Sequence, residues 1–185
     1  MRETEIKYCY KKGERPLITS FLKKNRYTQK YQVYEKDTYY TYKDRNFLKE
    51  DIALRVRKVQ KESVPIQWKL TYKGPNMTSG GQDREELELQ ITENGDSLSK
   101  LLENLGFTVL AEVEKKRLCY TKDSVNICLD EVNSLGSYIE IEILSEDADG
   151  KSAYASIDQI MKSMELADVV PEYKTYLELI LFPAK

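Results

Sequence analysis

On an extended strand the side chains at i, i+2 and i+4 share one face, and at that spacing the charged residues of this chain fall into blocks. Glu3, Glu5 and Lys7 share a face, as do Arg55 with Arg57, and Lys69 with Lys73 across Thr71. Arg84, Glu86 and Glu88 form the next block; Lys115 with Arg117, then Asp130, then Glu140 with Glu142 complete the series. The basic members suit a polyanion, because arginine forks match phosphate oxygens two at a time and lysines act as point charges. The acidic members suit Mg²⁺ or Mn²⁺, hard cations that take oxygen ligands and bridge to phosphates. Acidic and basic rows meeting through a metal-bound triphosphate form a self-consistent electrostatic design. Histidine is absent, which excludes imidazole-based triads, zincin-type sites and His-rich metal centres. Cys9, Cys119 and Cys128 have neither the number nor the spacing of a disulfide framework or a zinc knuckle. Cys9 and Cys119 read as small buried thiols.

The stretches that carry these charges are apolar on their other face: Ile6 and Tyr8, Leu54 and Val56, Leu87 and Leu89, and Ile139, Ile141 and Ile143. An ordinary barrel turns its apolar row inward. The repetition of ionised pairs on nearly every strand favours the inverse, a charged lumen with helices covering an apolar outside. Alternation predicts strands over 2–10, 31–43, 51–60, 65–73, 83–91, 108–121, 125–132 and 137–144, with a last strand over 175–182. Helical spacing predicts a short helix from Arg15 to Leu22 and a second carrying Leu98, Leu101, Leu102 and Leu105. Asp96 or Ser97 would cap that second helix and Gly106 stop it. A third helix is expected over 152–166, with Ile157, Ile160, Met161 and Met164 on one face. The halves, about 1–80 and 81–185, repeat one order of strand, helix and three strands. The loop at 74–83 joins them as a lid or a linker. So many strands hide their edges best by closing, which predicts an antiparallel barrel with helices outside.

The 185 residues suit a single domain, with 41% hydrophobic and 32% charged residues, enough apolar material for a core. Lys and Arg number 29 against 31 Asp and Glu, a balance that argues against a duplex nucleic-acid partner. No apolar run is long enough to span a membrane. The charged start, Met1-Arg2-Glu3, is not an apolar signal segment, so the cytoplasm is the expected location.

Glu3-Thr4-Glu5-Ile6-Lys7 resembles the ExExK signature of the triphosphate tunnel metalloenzymes, the CYTH superfamily. The segments Asp37–Tyr40, Phe47–Arg57, Leu70–Pro75 and Arg84–Glu88 are similar to that family too. So are Lys115–Tyr120, Leu129–Val132, Leu135–Glu142 and Thr175–Leu179, an ordered set covering nearly the whole chain. The Tyr72-Lys73-Gly74-Pro75 segment looks most like the class IV adenylyl cyclase subgroup. The resemblance implies an α+β, mainly β fold: an eight-stranded antiparallel closed tunnel spanning 1–185 as one domain. It implies metal ligands at Glu3, Glu5, Glu140 and Glu142, joined by Asp130 and Glu88, and the charge spacing adds Glu86. Lys7, Arg55, Arg57, Lys69, Arg84, Lys115 and Arg117 would hold the triphosphate, and the charge spacing adds Lys73. Glu5, Lys7, Arg57, Lys115 and Glu142 would carry the catalysis, with Mg²⁺ or Mn²⁺ as cofactor. Members are often dimers, so a homodimer is the implied assembly. The chain departs from several such cyclases, which carry a His-Phe pair shortly before ExExK.

Two chemistries fit that site. In a cyclase the ribose 3′-hydroxyl of ATP attacks the α-phosphorus and pyrophosphate leaves; in a triphosphatase water attacks the terminal phosphorus of thiamine triphosphate, a nucleoside triphosphate or tripolyphosphate. The complete acidic set argues against a binding module without turnover. Tyr39, Tyr40, Tyr42, Tyr72 and Tyr138 are candidates for a base pocket, with core packing expected of most. Asp37 and Glu131, beside the site residues, read as structural or exposed.

Overall fold

The computed structural model describes residues 2–75, 85–92, 94–145, 151–166 and 169–183. In chain order the first elements are β1 (Arg2–Tyr10), α1 (Arg15–Lys24), β2 (Thr28–Tyr42), β3 (Ala53–Gln60), β4 (Gln67–Lys73), β5 (Glu86–Ile91) and α2 (Gly95–Asn104). There follow β6 (Phe107–Lys122), β7 (Val125–Val132), β8 (Gly136–Ser145), α3 (Lys151–Ser163), β9 (Pro171–Glu172) and α4 (Tyr176–Leu181). The chain forms two compact units, Met1–Gln32 with Lys115–Thr175, and Val33–Glu114 with Tyr176–Lys185. Each unit draws on both halves of the sequence.

In the first unit β1 runs antiparallel to β8, and β7 lies between β8 and β6. The odd–even alternation of each strand sorts its side chains into two faces. One face carries Tyr8, Tyr10, Leu118, Tyr120, Ile127, Leu129, Ile139, Ile141 and Ile143, and helices α1 and α3 pack on it. Ile18 and Leu22 stand four apart on α1; Ala153, Ile157 and Met161 repeat that spacing on α3. Ile18, Leu22 and Ile157 are 0% exposed, and a fully buried aliphatic side chain stabilises by roughly 1.5–3 kcal/mol. The helices therefore sit on the leucine and isoleucine rows, as the alternation predicts.

The second unit repeats this plan. Strands β2, β3, β4 and β5 are antiparallel neighbours, and Tyr40, Val56, Leu54, Leu70 and Trp68 form the face covered by Leu98 and Leu102 of α2. The α2 cap is Asn94, whose side chain accepts from the Asp96 backbone N–H at 3.0 Å, two positions ahead of the expected cap. Gly95 follows it because a Cβ there would lie 2.1 Å from the Trp68 ring, so only glycine lets the helix start against that indole. Gly106, at φ +96, ends the helical run as expected.

Four further expectations change. Residues 175–182 are not a strand. Tyr176, Leu177, Ile180 and Leu181 recur at i, i+1, i+4 and i+5, a helical stripe, and the Phe182 N–H donates to the Glu178 carbonyl at 2.8 Å. So short an apolar run is ambiguous between the two periods, and the helix is what forms. Cys119 and Cys128 form a disulfide with Cα atoms 4.2 Å apart. They stand directly opposite each other on β6 and β7, a proximity created by the hairpin register. Cys9 is an exposed free thiol, not a buried one. Finally, hydrogen bonding orders nine strands as β5-β4-β3-β2-β6-β7-β8-β1-β9. Among the described residues no ladder joins β5 to the two-residue β9, so backbone hydrogen bonds do not close the expected eight-stranded barrel. The 74–83 loop lies, from residue 76 on, outside the described residues. No helix among those residues is long and apolar enough to cross a membrane.

Tyr10, 5% exposed, provides a test of the first unit's packing. Burial raises its phenol to about 12, aided by the charges of Glu131 and Asp130 and opposed by Arg15. An acid weaker in the folded than in the unfolded chain contributes stability that is intact below pH 10 and lost as pH climbs from 10 toward 12. Denaturant unfolding across that window should show the parent losing about 2 kcal/mol more than Tyr10→Phe. Equal losses would mean the phenol is not sealed in the core.

Candidate functional site

The face of the first unit opposite the helices is built by registry. Arg117 stands across from Asp130 on β6 and β7, and its guanidinium donates to both carboxylate oxygens, at 2.8 and 2.5 Å. The same guanidinium reaches Glu140 on β8. Lys115 lies 3.3 Å from Asp130. Asp130 is 0% exposed, and a carboxylate so placed needs cations around it to offset lost hydration. Lys7 faces Glu140 on one side and Glu172 on the other, and its Nζ donates to the Lys174 carbonyl at 2.6 Å. Burial lowers its pKa from 10.5, reinforced by Lys115 and opposed by Glu140, Glu5 and Glu172.

One pairing on this face differs in kind. Glu5 and Glu142 stand directly opposite each other on β1 and β8, and like charges in that arrangement repel. Glu142 also accepts from the Asn126 amide at 3.2 Å. Two carboxylates brought to one spot fit a hard divalent cation, since Mg²⁺ is commonly held by one or two carboxylates with substrate phosphates and water supplying the rest. Among the described residues no larger group of potential metal ligands gathers. The side chain of Glu3 lies outside the described ones, as does Arg84.

In the second unit the charged face is denser in cations. Asp37 accepts from Arg57 Nε and Nη2 at 2.5 and 2.7 Å and from Arg55 Nη1 at 3.3 Å. Glu35 stands 3.5 Å from Arg57. Asp37 is 2% exposed and Glu35 6%, so Asp37, expected to be structural or exposed, is the buried counter-ion of two arginines. Its signal in the sequence was parity: Glu35, Asp37 and Tyr39 alternate on one strand face just as Arg55 and Arg57 do. Lys69 and Lys73 lie on β4 beside them, each bound to a carboxylate of β5, Glu88 at 2.7 Å and Glu86 at 2.9 Å. Glu86 and Glu88 are exposed and each engages one lysine; among the described residues they join no group of three or more potential metal ligands. Glu131 pairs with Arg15, a structural contact at the end of α1.

The tyrosines divide by face. Tyr40 is buried in the core with α2 and Tyr42 packs edge-on against Phe107. Tyr72 stands opposite Leu54 and Leu87 on the apolar side. Tyr39, opposite Arg55, and Tyr138, opposite Asp130, lie on the charged faces.

Antiparallel strands with helices on their apolar faces leave the other faces to half-buried guanidinium and buried ammonium groups, which can take the oxygens of multiply charged phosphates. Residues 1–169 match the CYTH domain, and the chain belongs to that family. A protein of Methanocaldococcus jannaschii named "putative adenylate cyclase" is 29% identical over 97% of this chain and 98% of its own length. The solved structure of the PH1819 protein from Pyrococcus horikoshii OT3 superposes with a TM-score of 0.80 and 33% identity, covering 97% of this chain and 98% of that one. A Hippeastrum structure, described as a putative adenylyl cyclase with a dominant triphosphatase activity, shares the fold at a TM-score of 0.72 and 17% identity, covering 97% and 95%.

Asp37→Ala would leave two half-enclosed guanidiniums without their shared carboxylate. Breaking such a pair costs about 3 kcal/mol or more. Chemical denaturation should show a loss of that order, partly recovered in the double variant with Arg57→Met. A change within about 0.5 kcal/mol would mean the arginines are neutralised elsewhere.

Proposed function

We propose that the protein is a divalent-metal-dependent enzyme acting on triphosphates, and that it cyclises ATP to cAMP with release of pyrophosphate. The observation that carries this reading is the gathering of cations, Lys7 and Lys115 buried and Arg57 and Arg117 half-buried, on strand faces turned away from the helices. Arg117 and Arg57 are each locked edge-on by an aspartate, Asp130 and Asp37. A guanidinium held in one orientation loses less freedom when it grips a phosphate, which favours catalysis by preorganised charge. The name borne by the Methanocaldococcus jannaschii relative supports cyclisation as the reaction.

The residues take distinct parts. Glu5 and Glu142 would hold Mg²⁺ or Mn²⁺, with Glu3 and Glu140 as further oxygen donors and Asp130, Glu86 and Glu88 acting on the cations beside them. When bound, the metal lowers the pKa of the attacking hydroxyl and offsets phosphate charge. Lys115 and Arg117 bind phosphate oxygens on the first unit's face; Arg55, Arg57, Lys69 and Lys73 do so on the second's, and Arg84 is placed with this set by its spacing. Lys7, whose proton affinity burial lowers, is an ammonium able to pass a proton to a departing phosphate oxygen. Tyr39 and Tyr138 are the aromatic side chains that can stack on a base.

Hydrolysis of the same substrates is the second reading, favoured by the dominant triphosphatase activity described for the Hippeastrum protein. Incubation with Mg²⁺ or Mn²⁺ and, separately, ATP, thiamine triphosphate and tripolyphosphate separates the two. cAMP with pyrophosphate establishes the cyclase, orthophosphate the hydrolase, and no product from any substrate overturns both. Glu5→Gln and Glu142→Gln should each lower turnover about a hundredfold or more while circular dichroism stays that of the parent.

A further inference from the structure

Between Lys69 and Lys73 on β4, on the charged face, stands Thr71. It is 1% exposed, yet among the described residues its Oγ1 has no hydrogen-bond partner. Directly across on β3 is Arg55, whose Nε is likewise buried without a partner, although its Nη1 reaches Asp37 at 3.3 Å and the Tyr39 hydroxyl at 3.5 Å. On the other side Thr71 faces Glu88, whose carboxylate is taken by Lys69. Buried polar groups are nearly always satisfied, and an exception calls for a reason. Valine has the shape of threonine and would fill a strand position without that cost.

Two buried donors side by side, an N–H and an O–H, can both be satisfied by one acceptor placed between them. Lys69 and Lys73, two positions either way along the same strand and each paired to a β5 carboxylate, can turn from those carboxylates to an anionic acceptor that enters the spot. We propose that Thr71 and Arg55 Nε form a subsite for one phosphate oxygen of the substrate, with Thr71 as a binding residue. This rests on the triphosphate reading above and adds a group to it that is neither charged nor a metal ligand.

The test is calorimetric titration of the parent, Thr71→Val and Thr71→Ser with tripolyphosphate in the absence of divalent metal, together with thermal unfolding of each ligand-free protein. Thr71→Val should bind about tenfold more weakly, Thr71→Ser should stay within about threefold of the parent, and the ligand-free valine variant should melt at or above the parent's temperature. Equal affinity of the parent and the valine variant overturns the subsite while leaving the triphosphate reading standing. A lower melting temperature with unchanged affinity does the same and makes the hydroxyl structural. A parent protein that binds no tripolyphosphate even when the titration is repeated with Mg²⁺ overturns the broader reading, and the subsite falls with it.

Discussion

Charge buried on a strand face is tolerable only when an opposite charge stands across the next strand, and much of this molecule is arranged around that requirement. Helices occupy the apolar faces in both units, so the opposite faces must hold the ionised side chains. Asp130 answers Arg117 and Lys115, and Asp37 answers Arg55 and Arg57. Register achieves this: a shift of one residue would turn the charges toward the helices and the isoleucines away from them. Apolar packing and ion pairing thus enforce the same alignment.

These ion pairs bear on the proposed function as much as on stability. A buried pair contributes little net stability compared with apolar packing, but removing one partner is costly. What the pairs do supply is orientation. Two carboxylate oxygens bonded to Nε and Nη2 hold a guanidinium plane in place. The aspartates therefore act as internal counter-ions that keep the arginines poised. The opposed Glu5 and Glu142 break the pattern, since there carboxylate meets carboxylate, and it is on that electrostatic ground that the metal is proposed to bind there.

The strands and their two faces were legible in the sequence because period-two alternation is local and was repeated on nearly every strand. The three longer helices were legible too, since Ile18 with Leu22, Leu98 with Leu102 and Ile157 with Met161 repeat a four-residue step. The apolar run at 176–181 was too short to choose a period by itself, and Asn94 was hidden as a cap by two plausible neighbours. The acidic and basic rows were visible as types and spacings. Asp37 read as structural or exposed, and which of the two it is, the buried counter-ion of Arg55 and Arg57, was settled only once those arginines were set across from it.

By itself, then, the sequence determined which residues share a face, where helices cover the apolar rows, and that both signs of charge would crowd the remaining faces. Those properties follow from backbone geometry over a few residues. Only the tertiary structure decided which charge answers which, that Cys119 meets Cys128, that Glu5 confronts Glu142, and that Thr71 and Arg55 each keep a buried donor unmet among the described residues. Such facts depend on pairing between strands far apart in the chain, and strand register is a property of the whole packed sheet.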